Sequence, residues 1–492
     1  MRNLKLLSIP ILLMFLCSCS TGGGSSSTPS SDTSSEESSE SSSSTSSSSS
    51  EKQWVKYVSS RNPMNEPKVG QQYYLNHIGD IYNTWKDLQG HGVTIAVIDT
   101  GFKYDHEDFV YEDGTSKVSE LSASFTTSGT TTTKVVGRDK VSSGVNNNAH
   151  GTFCAGVAAA GINGKGVIGI APLAELMLLK TDAHPLSICE AFKYAADNGA
   201  RVITISIGDY TDYSGDLKGW AGCGQNLATV FDNAVNYARE KGTVVISAAG
   251  NGGGSARATE YTFPGGTTGV IGAGGLAANS STERWAGSSY NSSAQYMFCD
   301  VFAPSDGMFG CTDHYDDYHN YYSYAGGWDG TSFASPVVAG IAALYFEKNP
   351  NNTVEQFEND LYASCVSFGT PSQVGQNGHG RVDVGKLMGT TLSGNVTAKV
   401  KNSGDLYAYY WKSGTTINNT WPGTYIGTGD DKTYTITMDA SKYDSVILNT
   451  GGSDPYQTVD LSISSFIYGN TYNADEVTNF SEKVVIGTYI AN

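Results

Sequence analysis

The feature that most constrains the fold is an alternation of continuous apolar runs with helix-like stretches, which begins near Val93. The apolar runs cover residues 93–98, 176–179, 202–207 and 244–246. The stretches between them have helical character and cover residues 151–160, 187–198 and 228–241. Strands that are apolar throughout are buried on both faces, and parallel strands need long crossovers, which are usually helices. The sequence therefore predicts an α/β fold whose parallel sheet has helices on both faces.

Polar or small residues follow three of these runs. Asp99 ends the first run, Gly208 follows the third, and Asn251 lies just beyond the fourth. Binding sites in open parallel sheets form at the carboxyl ends of the strands. We therefore expect these three positions to border one site.

The pattern changes near Leu387. From Ser393 onward the chain has short alternating segments separated by turns, at residues 406–411, 434–438, 445–449 and 483–490. Such segments are typical of an all-β sandwich. We therefore predict an α/β domain at residues 53–390, followed by a β-sandwich domain at residues 391–492.

The N-terminus has the features of an export signal. Two early positive charges precede an apolar stretch at residues 6–16, which is too short for a span of about 20 residues but fits a signal peptide. The sequence Leu16-Cys17-Ser18-Cys19 resembles a bacterial lipobox, which implies a lipoprotein signal peptide at residues 1–19 and lipidation of Cys19. Residues 20–52 are mostly serine and lack apolar surface, so they are predicted to form a disordered tether. The predicted location is the bacterial cell envelope, lipid-anchored and facing outside the cytoplasm.

The charge and the cysteines narrow the possible partners and cross-links. The formal net charge of −18 disfavours nucleic-acid binding and contact with anionic membranes, so we expect membrane attachment only through the lipid. Six cysteines remain downstream of Cys19, and export would permit disulfides among them. The pairing cannot be deduced from sequence, although Cys299 and Cys311 would close the shortest loop.

Three short segments supply the groups of a hydroxyl-based nucleophilic mechanism. They are Val-Ile-Asp99-Thr-Gly, Asn-Ala-His150-Gly-Thr and Gly-Thr-Ser332-Phe-Ala-Ser-Pro. A serine hydroxyl needs a neighbouring base, and the base needs a carboxylate that holds its tautomer and stabilises its charged form. A fourth segment, Ala-Ala-Gly-Asn251-Gly, offers an amide donor for an oxyanion.

Together these segments resemble the subtilisin-like serine proteases (the subtilase, or peptidase S8, family), in the chain order Asp, His, Asn, Ser. The similarity covers residues 73–387. It implies a serine endopeptidase that acts on protein or peptide substrates. In the roles that it implies, Asp99 orients His150, His150 is the general base, Ser332 attacks, and Asn251 stabilises the oxyanion.

Three alternatives to this interpretation are considered. Asp-Thr-Gly is also the signature of aspartic proteases, but these need two carboxylates that share a proton, and the chain has no second Asp-Thr-Gly or Asp-Ser-Gly. A surface glycan-binding lipoprotein with a vestigial protease scaffold is a second possibility. A dedicated maturation protease for one partner protein is the third.

The resemblance also implies substrate-binding and metal-binding positions. Residues 204–208 match the edge strand that pairs with the substrate backbone, and the pocket for the residue before the scissile bond contains no charged group. The implied substrate-binding residues are Ser206, Ile207, Gly208, Ala248, Gly250 and Thr262. A structural Ca²⁺ is implied at Asp108 and Asn163, with the carbonyls of Gly161, Lys165 and Val167, and Gln71 or Gln72 as a further ligand. Without a metal, the same loop would be a glycine-rich turn.

The C-terminal domain carries alternating aromatic residues on one predicted strand. Tyr407, Tyr409 and Trp411 would share one face of that strand, either in the core or as an exposed platform for a sugar ring. The Trp421-Pro-Gly turn and a late Gln457-Thr-x-Asp-Leu segment resemble starch-binding modules of carbohydrate-binding module family 26. This resemblance implies α-glucan binding by Tyr409, Trp411, Trp421 and Gln457. We expect the protein to be a monomer.

Overall fold

The computed structural model describes most of the chain from Ser59 to Ile463. The described residues are 59–210, 227–253, 258–259, 262–278, 280–292, 297–402, 404–412, 420–429, 432–449, 451 and 461–463, and all belong to one compact unit, Lys56–Asn492. The predictions for the signal peptide, the tether, Cys19, Gln457 and the strand at residues 483–490 lie outside the described residues.

Within the described residues the chain forms eight α-helices and four short 3₁₀ helices. The α-helices are α1 Ile81–Thr84, α2 Ala149–Ala159, α3 Pro185–Asp197, α4 Leu227–Glu240, α5 Thr331–Lys348, α6 Val354–Ser364, α7 Pro371–Val374 and α8 Val384–Met388. The 3₁₀ helices are Pro63–Asn65, Val69–Gln71, Tyr73–His77 and Arg138–Lys140. None of the helices in this part of the chain is long and apolar enough to cross a membrane.

The same residues contain eighteen strands. They are β1 Thr94–Asp99, β2 Ala123–Ser128, β3 Thr131–Val136, β4 Glu175–Thr181, β5 Val202–Ile205, β6 Asp209–Tyr210, β7 Val244–Ala248, β8 Thr262–Phe263, β9 Val270–Leu276, β10 Val301–Pro304, β11 Met308–Tyr315, β12 Tyr321–Trp328, β13 Asn395–Asn402, β14 Leu406–Trp411, β15 Thr424–Gly427, β16 Lys432–Asp439, β17 Ser445–Asn449 and β18 Leu461–Ser462.

The central sheet has eight strands in the order β10-β9-β7-β5-β1-β4-β2-β3. All neighbours are parallel except β2 and β3, which pair as an antiparallel hairpin. Successive strand residues face opposite layers. Ile95 and Val97 pack in the cluster that contains α2 and α5, whereas Ala96 and Ile98 pack in the cluster that contains α3 and α4. The predicted α/β fold with helices on both faces is confirmed.

The segment at residues 204–208, predicted as the edge strand that pairs with substrate, lies only partly in the sheet: Thr204 and Ile205 pair with β1 and β7, and the residues from Ser206 lie beyond the ladder. Its pairing with substrate stays a prediction, whereas the Cys299–Cys311 disulfide considered in the sequence is wrong. Cys299 and Cys311 are both free: the Cys299 thiol lies 3.3 Å from the carbonyl of Ser289, and Cys311 lies against Gly156 of α2. Among the described cysteines there is no disulfide.

The C-terminal strands form two antiparallel sheets, β13-β16 and β15-β14-β17-β18. Their apolar side chains make a separate cluster that includes Val400, Leu406, Ile436 and Leu448. This arrangement is consistent with the expected β-sandwich. The division of the chain at residue 390 stays a prediction.

Candidate active site

The carboxyl ends of the central strands and the N-termini of two helices bring the four predicted catalytic residues together. Asp99 is the last residue of β1, and His150 is the second residue of α2. Asn251 follows β7, and Ser332 is the second residue of α5. Asn251 Oδ1 accepts a hydrogen bond from the backbone N–H of Thr331, which precedes Ser332. The positions that are far apart in the sequence therefore form one site.

Asp99 holds the ring of His150. The Asp99 carboxylate lies 2.8 Å from His150 Nδ1, and its other oxygen accepts the N–H of Thr100 at 2.8 Å. Burial lowers the pKa of His150, but the charge of Asp99 and the hydrogen bond to it outweigh burial, so the net shift is upward from 6.5. The remaining ring nitrogen, Nε2, is the one available for proton transfer.

The glycine after His150 allows α2 to approach β1. A Cβ on Gly151 would lie 2.3 Å from the carbonyl oxygen of Gly101 and 2.9 Å from Cβ of Asp99. Any side chain here would push the helix away from the strand and lengthen the contact between His150 and Asp99. The small residue is therefore a packing requirement of the site.

The carbonyl of Ser332 has unusual partners because of a proline in α5. Pro336 has no N–H, so it cannot donate the helical hydrogen bond to the residue four positions earlier, Ser332. That carbonyl accepts instead from the hydroxyl of Ser206 at 2.7 Å and from the thiol of Cys154 at 3.4 Å. Burial raises the pKa of Cys154 well above its usual range, so this thiol stays protonated.

The Ser332 hydroxyl is largely buried at the N-terminus of α5. Its Oγ donates to the carbonyl of Ser206 at 3.3 Å. Within the described residues, no hydrogen bond joins Ser332 Oγ to His150 Nε2. Catalytic hydrogen bonds are often long in unliganded sites and tighten when substrate binds.

The side-chain amide of Asn251 is oriented by Thr331, a residue that the sequence interpretation missed. Asn251 Oδ1 accepts from both the backbone N–H and the hydroxyl of Thr331, at 2.9 and 2.8 Å. The same hydroxyl accepts the N–H of Gly250 at 3.0 Å. Because the oxygen of the amide is occupied, its NH₂ group is the part that can donate to an oxyanion. The Gly-Thr-Ser motif contained Thr331, but its contact with Asn251 depends on the fold.

The predicted substrate-binding residues lie in the segments that follow β5 and β7 and in β8, and the Ser206 hydroxyl contacts the carbonyl of Ser332. Ser206, Ile207 and Gly208 follow β5, and a Cβ on Gly208 would lie 2.2 Å from the carbonyl oxygen of Phe263. Ala248 ends β7, and Gly250 has a φ of 106°.

Two short strands, β6 and β8, lie against Gly250. A Cβ on Gly250 would lie 2.9 Å from the methyl of Thr262 and 3.0 Å from the hydroxyl of Tyr210. Thr262 is buried and donates to the carbonyl of Ala249 at 3.2 Å. Tyr210 is a neighbour of Gly250 that the sequence interpretation did not include, because its pairing with Thr262 is visible only in the structure.

The loop predicted to bind calcium connects α2 to β4 and covers buried Asp108. The Asp108 carboxylate accepts the backbone N–H groups of Gly166 at 3.2 Å and of Val167 at 2.9 Å. Asn163 Oδ1 accepts the N–H of Lys165 at 3.0 Å. Burial raises the pKa of Asp108, and the Val167 hydrogen bond opposes this shift. Gly161 lies at the start of this loop, where its N–H donates to the carbonyl of Asp108 at 2.8 Å.

A second buried carboxylate borders the same loop. Glu66 accepts the N–H groups of Gly164 and Lys165, and burial raises its pKa to about 7, with Asp108 adding to the shift. Gln72 is not free to act as a ligand, because both atoms of its amide bind the backbone of Ile168, at 2.9 and 2.7 Å. Asn163 likewise uses both atoms of its amide, because its Nδ2 also donates to the carbonyl of Glu107 at 3.1 Å. The polar atoms of Asp108, Glu66 and Asn163 therefore already have protein partners, which a bound cation would have to replace.

Three of the aromatic residues predicted to bind sugar lie close together in the C-terminal sheets. The ring centroid of Tyr409 lies 6.0 Å from that of Trp411 and 5.6 Å from that of Trp421. Trp421 is exposed, and Tyr409 and Trp411 are half-buried. Tyr410 points to the other side and packs on Tyr443.

Comparisons with known proteins agree with this geometry. The model of the Subtilase family, Peptidase S8, matches residues 90–385. Thermitase from Thermoactinomyces vulgaris is 30% identical over 290 residues, which cover 57% of this chain and 84% of thermitase. Subtilisin DY from Bacillus licheniformis is 30% identical over 287 residues, which cover 57% of this chain and 86% of subtilisin DY.

Solved structures show the same fold. A protease from Pseudoalteromonas arctica superimposes with a TM-score of 0.51 at 24% identity, over 67% of this chain and 99% of that protein. Fervidolysin from Fervidobacterium pennivorans, a keratinolytic enzyme, superimposes with a TM-score of 0.50 at 21% identity, over 77% of this chain and 55% of fervidolysin. The family match covers more than half of the chain. The chain therefore belongs to the subtilase family of serine endopeptidases.

Proposed function

We propose that this subtilase uses Ser332 as nucleophile, is exported and lipid-anchored, and attaches to carbohydrate through its C-terminal sheets. The observation that carries the catalytic part is the 2.8 Å contact between Asp99 and His150 Nδ1, with Ser332 at the N-terminus of α5 beside the oriented amide of Asn251. The family membership supports peptide-bond hydrolysis as the reaction.

In the proposed mechanism, His150 Nε2 takes the proton of Ser332 as its Oγ attacks the carbonyl carbon of the scissile bond. Asn251 donates to the oxyanion of the tetrahedral intermediate, and Asp99 stabilises the imidazolium. The imidazolium then gives its proton to the leaving amine, and the acyl group stays on Ser332. A water molecule, deprotonated by His150, hydrolyses the ester and regenerates the enzyme.

Alanine substitutions test this assignment. Ser332→Ala and His150→Ala should each remove nearly all casein hydrolysis, and the double variant should be little worse, because the residues act as a unit. Retention of more than a few per cent of the activity by Ser332→Ala would identify another nucleophile. Activity is also the measurement that rejects the vestigial-scaffold alternative. Hydrolysis of one partner protein, with casein and other proteins left intact, would favour the maturation protease.

The carbohydrate proposal is supported by the cluster of Tyr409, Trp411 and Trp421. Aromatic rings on a sheet surface can stack on sugar rings, and the exposed ring of Trp421 is accessible to a ligand. Binding of a maltooligosaccharide should be measured with the full-length Ser332→Ala protein, which prevents self-digestion. We expect a Kd on the order of 10⁻⁵–10⁻³ M.

Trp421→Ala should remove most of this sugar binding, whereas Tyr318→Ala, which also removes an exposed aromatic ring, should retain it. Equal sugar binding by the Ser332→Ala parent and by its Trp421→Ala and Tyr318→Ala variants would show that Trp421 has only a structural role.

Structural calcium is proposed at the loop of residues 161–167. Its support is the membership of the subtilase family together with the pair of buried carboxylates, Asp108 and Glu66, which border the loop. Calcium that binds only the folded state raises the melting temperature by mass action. A chelator should therefore lower the melting temperature of the wild type and have little effect on Asp108→Asn.

The lipid anchor rests on the lipobox-like sequence that ends at Cys19. Intact-mass measurement of the protein from bacterial membranes should show a diacylglycerol-bearing N-terminus. Cys19→Ser should shift the protein to the soluble fraction while casein hydrolysis continues. An unmodified wild type would refute the anchor without affecting the catalytic proposal.

A further inference from the structure

A tyrosine-rich hairpin lies beside the catalytic residues, and neither the triad nor the predicted pocket uses it. It consists of β11 and β12, which pair as an antiparallel two-stranded sheet. Four of its tyrosines are at least two-fifths exposed: Tyr315 (42%), Tyr318 (86%), Tyr321 (41%) and Tyr322 (42%). Exposed large aromatic groups that cluster in this way mark interaction surfaces.

The base of the hairpin is fixed to both catalytic helices. Trp328 stacks on Phe153 of α2, with ring centroids 5.1 Å apart, and Phe153 packs on Phe333, 4.5 Å away. Phe333 immediately follows Ser332. β11 is mostly buried against α2, whereas β12 is mostly exposed or half-buried. The hairpin is therefore anchored beside the helix ends that carry His150 and Ser332.

The tip of the hairpin is held in one conformation by Asp316. Its carboxylate accepts the N–H groups of Tyr318 and Asn320, at 2.9 and 2.8 Å. It also accepts the side-chain amide of Asn320 at 2.9 Å and the hydroxyl of Tyr322 at 3.1 Å. A surface that is ordered before it binds loses less entropy on binding than a flexible one does.

The hairpin also contacts the start of α2, two residues before His150. Asp313 accepts from the side-chain amide of Asn148 at 2.8 Å and from the hydroxyl of Tyr321 at 3.0 Å. The sheet order places β5 and β7, which lead to Ser206 and Asn251, on one side of β1. Helix α2 packs on β1 and β4, so the hairpin lies on the His150 side of the nucleophile.

This position determines which half of a substrate the hairpin can contact. His150 delivers its proton to the leaving amine, so the polypeptide on the C-terminal side of the scissile bond lies on the His150 side. The acyl half occupies the pocket beyond β5 and β7. Polypeptide on this side of the nucleophile is therefore within reach of the hairpin.

The charge of the hairpin indicates what that half should carry. Residues 308–329 contain four aspartates and no lysine or arginine. Lys103, whose charge acts on Asp313 from outside the hairpin, is already paired with Asp105 at 3.0 Å. Tyrosine faces attract cations, and arginine is the usual partner.

We propose that the β11–β12 hairpin is a specificity surface that binds arginine or lysine residues in the polypeptide just C-terminal to the scissile bond. Tyr318 and Tyr322 supply the ring faces, and Asp316 and Asp317 supply the negative charge. This assignment uses the family activity and does not depend on the calcium, lipid or carbohydrate proposals.

Two quenched fluorescent peptides test it at pH 8. They share the acyl half and differ only in the second and third residues after the scissile bond, which are Arg-Arg or Glu-Glu. Each exposed cation–π contact is worth a factor of about 2 to 5, so two contacts give the wild type a preference of roughly 4- to 25-fold in kcat/KM for Arg-Arg. The ratio of the two rates is the readout, because any loss of active enzyme cancels from it.

Three variants locate the effect. In the double variant Tyr318→Ala/Tyr322→Ala, the ratio of the Arg-Arg rate to the Glu-Glu rate should fall at least about four-fold. Tyr322→Phe keeps the ring and removes its hydrogen bond to Asp316, so it should retain the wild-type ratio. The matched control is Tyr425→Ala, which removes a tyrosine of 52% exposure from the C-terminal sheets and should leave the ratio unchanged. A wild-type ratio near one, or a double variant with the wild-type ratio, would overturn the proposal.

Discussion

The hydroxyl of Thr331 joins the N-terminus of α5 to Asn251 and Gly250. Its removal therefore gives a quantitative test of how the oxyanion donor is oriented. Thr331→Val keeps the shape of the side chain and removes only the hydroxyl. The hydroxyl donates to Asn251 Oδ1 at 2.8 Å and accepts the N–H of Gly250 at 3.0 Å. In the variant, Asn251 keeps one of its two hydrogen bonds, the one from the backbone N–H of Thr331 at 2.9 Å.

The expected size of the effect lies between two limits. Complete loss of the amide donor, as in Asn251→Ala, should cost about 2.7–4 kcal/mol, a figure that comes from subtilisin and is carried over here. Loss of one hydrogen bond that orients the donor should cost about 0.5–1.5 kcal/mol. We therefore expect Thr331→Val to lower kcat by roughly 2- to 13-fold with KM nearly unchanged, because the oxyanion exists only after attack.

The assay must separate catalysis from folding. The Gly250 N–H loses its partner in Thr331→Val, which should destabilise the fold by about 1–3 kcal/mol. Active enzyme is therefore counted by titration with a serine-directed phosphonate, and kcat is expressed per labelled site. The control is Thr243→Val, which removes another buried threonine hydroxyl, bonded to the Ala200 carbonyl at 2.6 Å and remote from Asn251. An equal fall in kcat in both variants, or an unchanged kcat in Thr331→Val, would refute the role of Thr331.

Three further predictions follow from the same contacts. Asp99 raises the pKa of His150, which must be neutral to act as base, so kcat/KM should fall as the pH drops through a value above 6.5. In Asp99→Asn this fall should occur at lower pH, because burial, which lowers the pKa of His150, then outweighs the remaining contacts. The kcat should also drop roughly 10⁴-fold. A fall in kcat/KM at the same pH as in the wild type would contradict this reasoning. Burial raises the pKa of Asp300 from 3.8 to about 6. Above pH 6 the folded state is therefore destabilised by the buried carboxylate charge, and below about pH 4 this destabilisation disappears because the carboxyl is protonated in both states. Asp300→Asn should therefore raise the free energy of unfolding in urea by up to about 3 kcal/mol at pH 8 and by little at pH 4, whereas a gain independent of pH would exclude titration as the cause. Gly208→Ala would place a Cβ 2.2 Å from the Phe263 carbonyl oxygen and should lower kcat/KM roughly 10- to 100-fold by displacing the pocket wall; wild-type kinetics would show that the wall can yield freely.

The sequence predicted the elements of the sheet and helices closely because their signals are local. The helices expected at residues 151–160 and 187–198 are α2, Ala149–Ala159, and α3, Pro185–Asp197. The run at residues 202–207 extends two residues past β5, because Ile207 continues the apolar pattern in sequence but lies, with Ser206, beyond the ladder of β5. Local pattern cannot show where the neighbouring strands stop pairing.

The site was predictable in its motifs and not in its supporting contacts. Asp99, His150, Asn251 and Ser332 each lie in a recognisable segment, whereas the contact of Thr331 with Asn251 joins residues 80 positions apart. The partners of the Ser332 carbonyl follow from Pro336, whose missing N–H is visible in the sequence, but Ser206 and Cys154 become its donors only through the packing of α2, α5 and the end of β5.

The short separation of Cys299 and Cys311 was a misleading signal. A small loop lowers the entropy cost of closure, but the bond also requires the two Cβ atoms to face each other. Cys299 packs in the cluster of Phe302 and Phe368, whereas Cys311 packs under α2. The two thiols therefore belong to different parts of the core.

The most direct test of the central claim is identification of the residue that a serine-directed phosphonate labels. The full-length protein is treated with the reagent, digested and mapped by tandem mass spectrometry, with residual casein hydrolysis measured on the same sample. The account predicts one adduct, on Ser332, whose extent equals the loss of activity, and no adduct at this residue in His150→Ala over the same time. An adduct on another serine, or full labelling of Ser332 with hydrolysis undiminished, would contradict the assignment of Ser332 as the nucleophile.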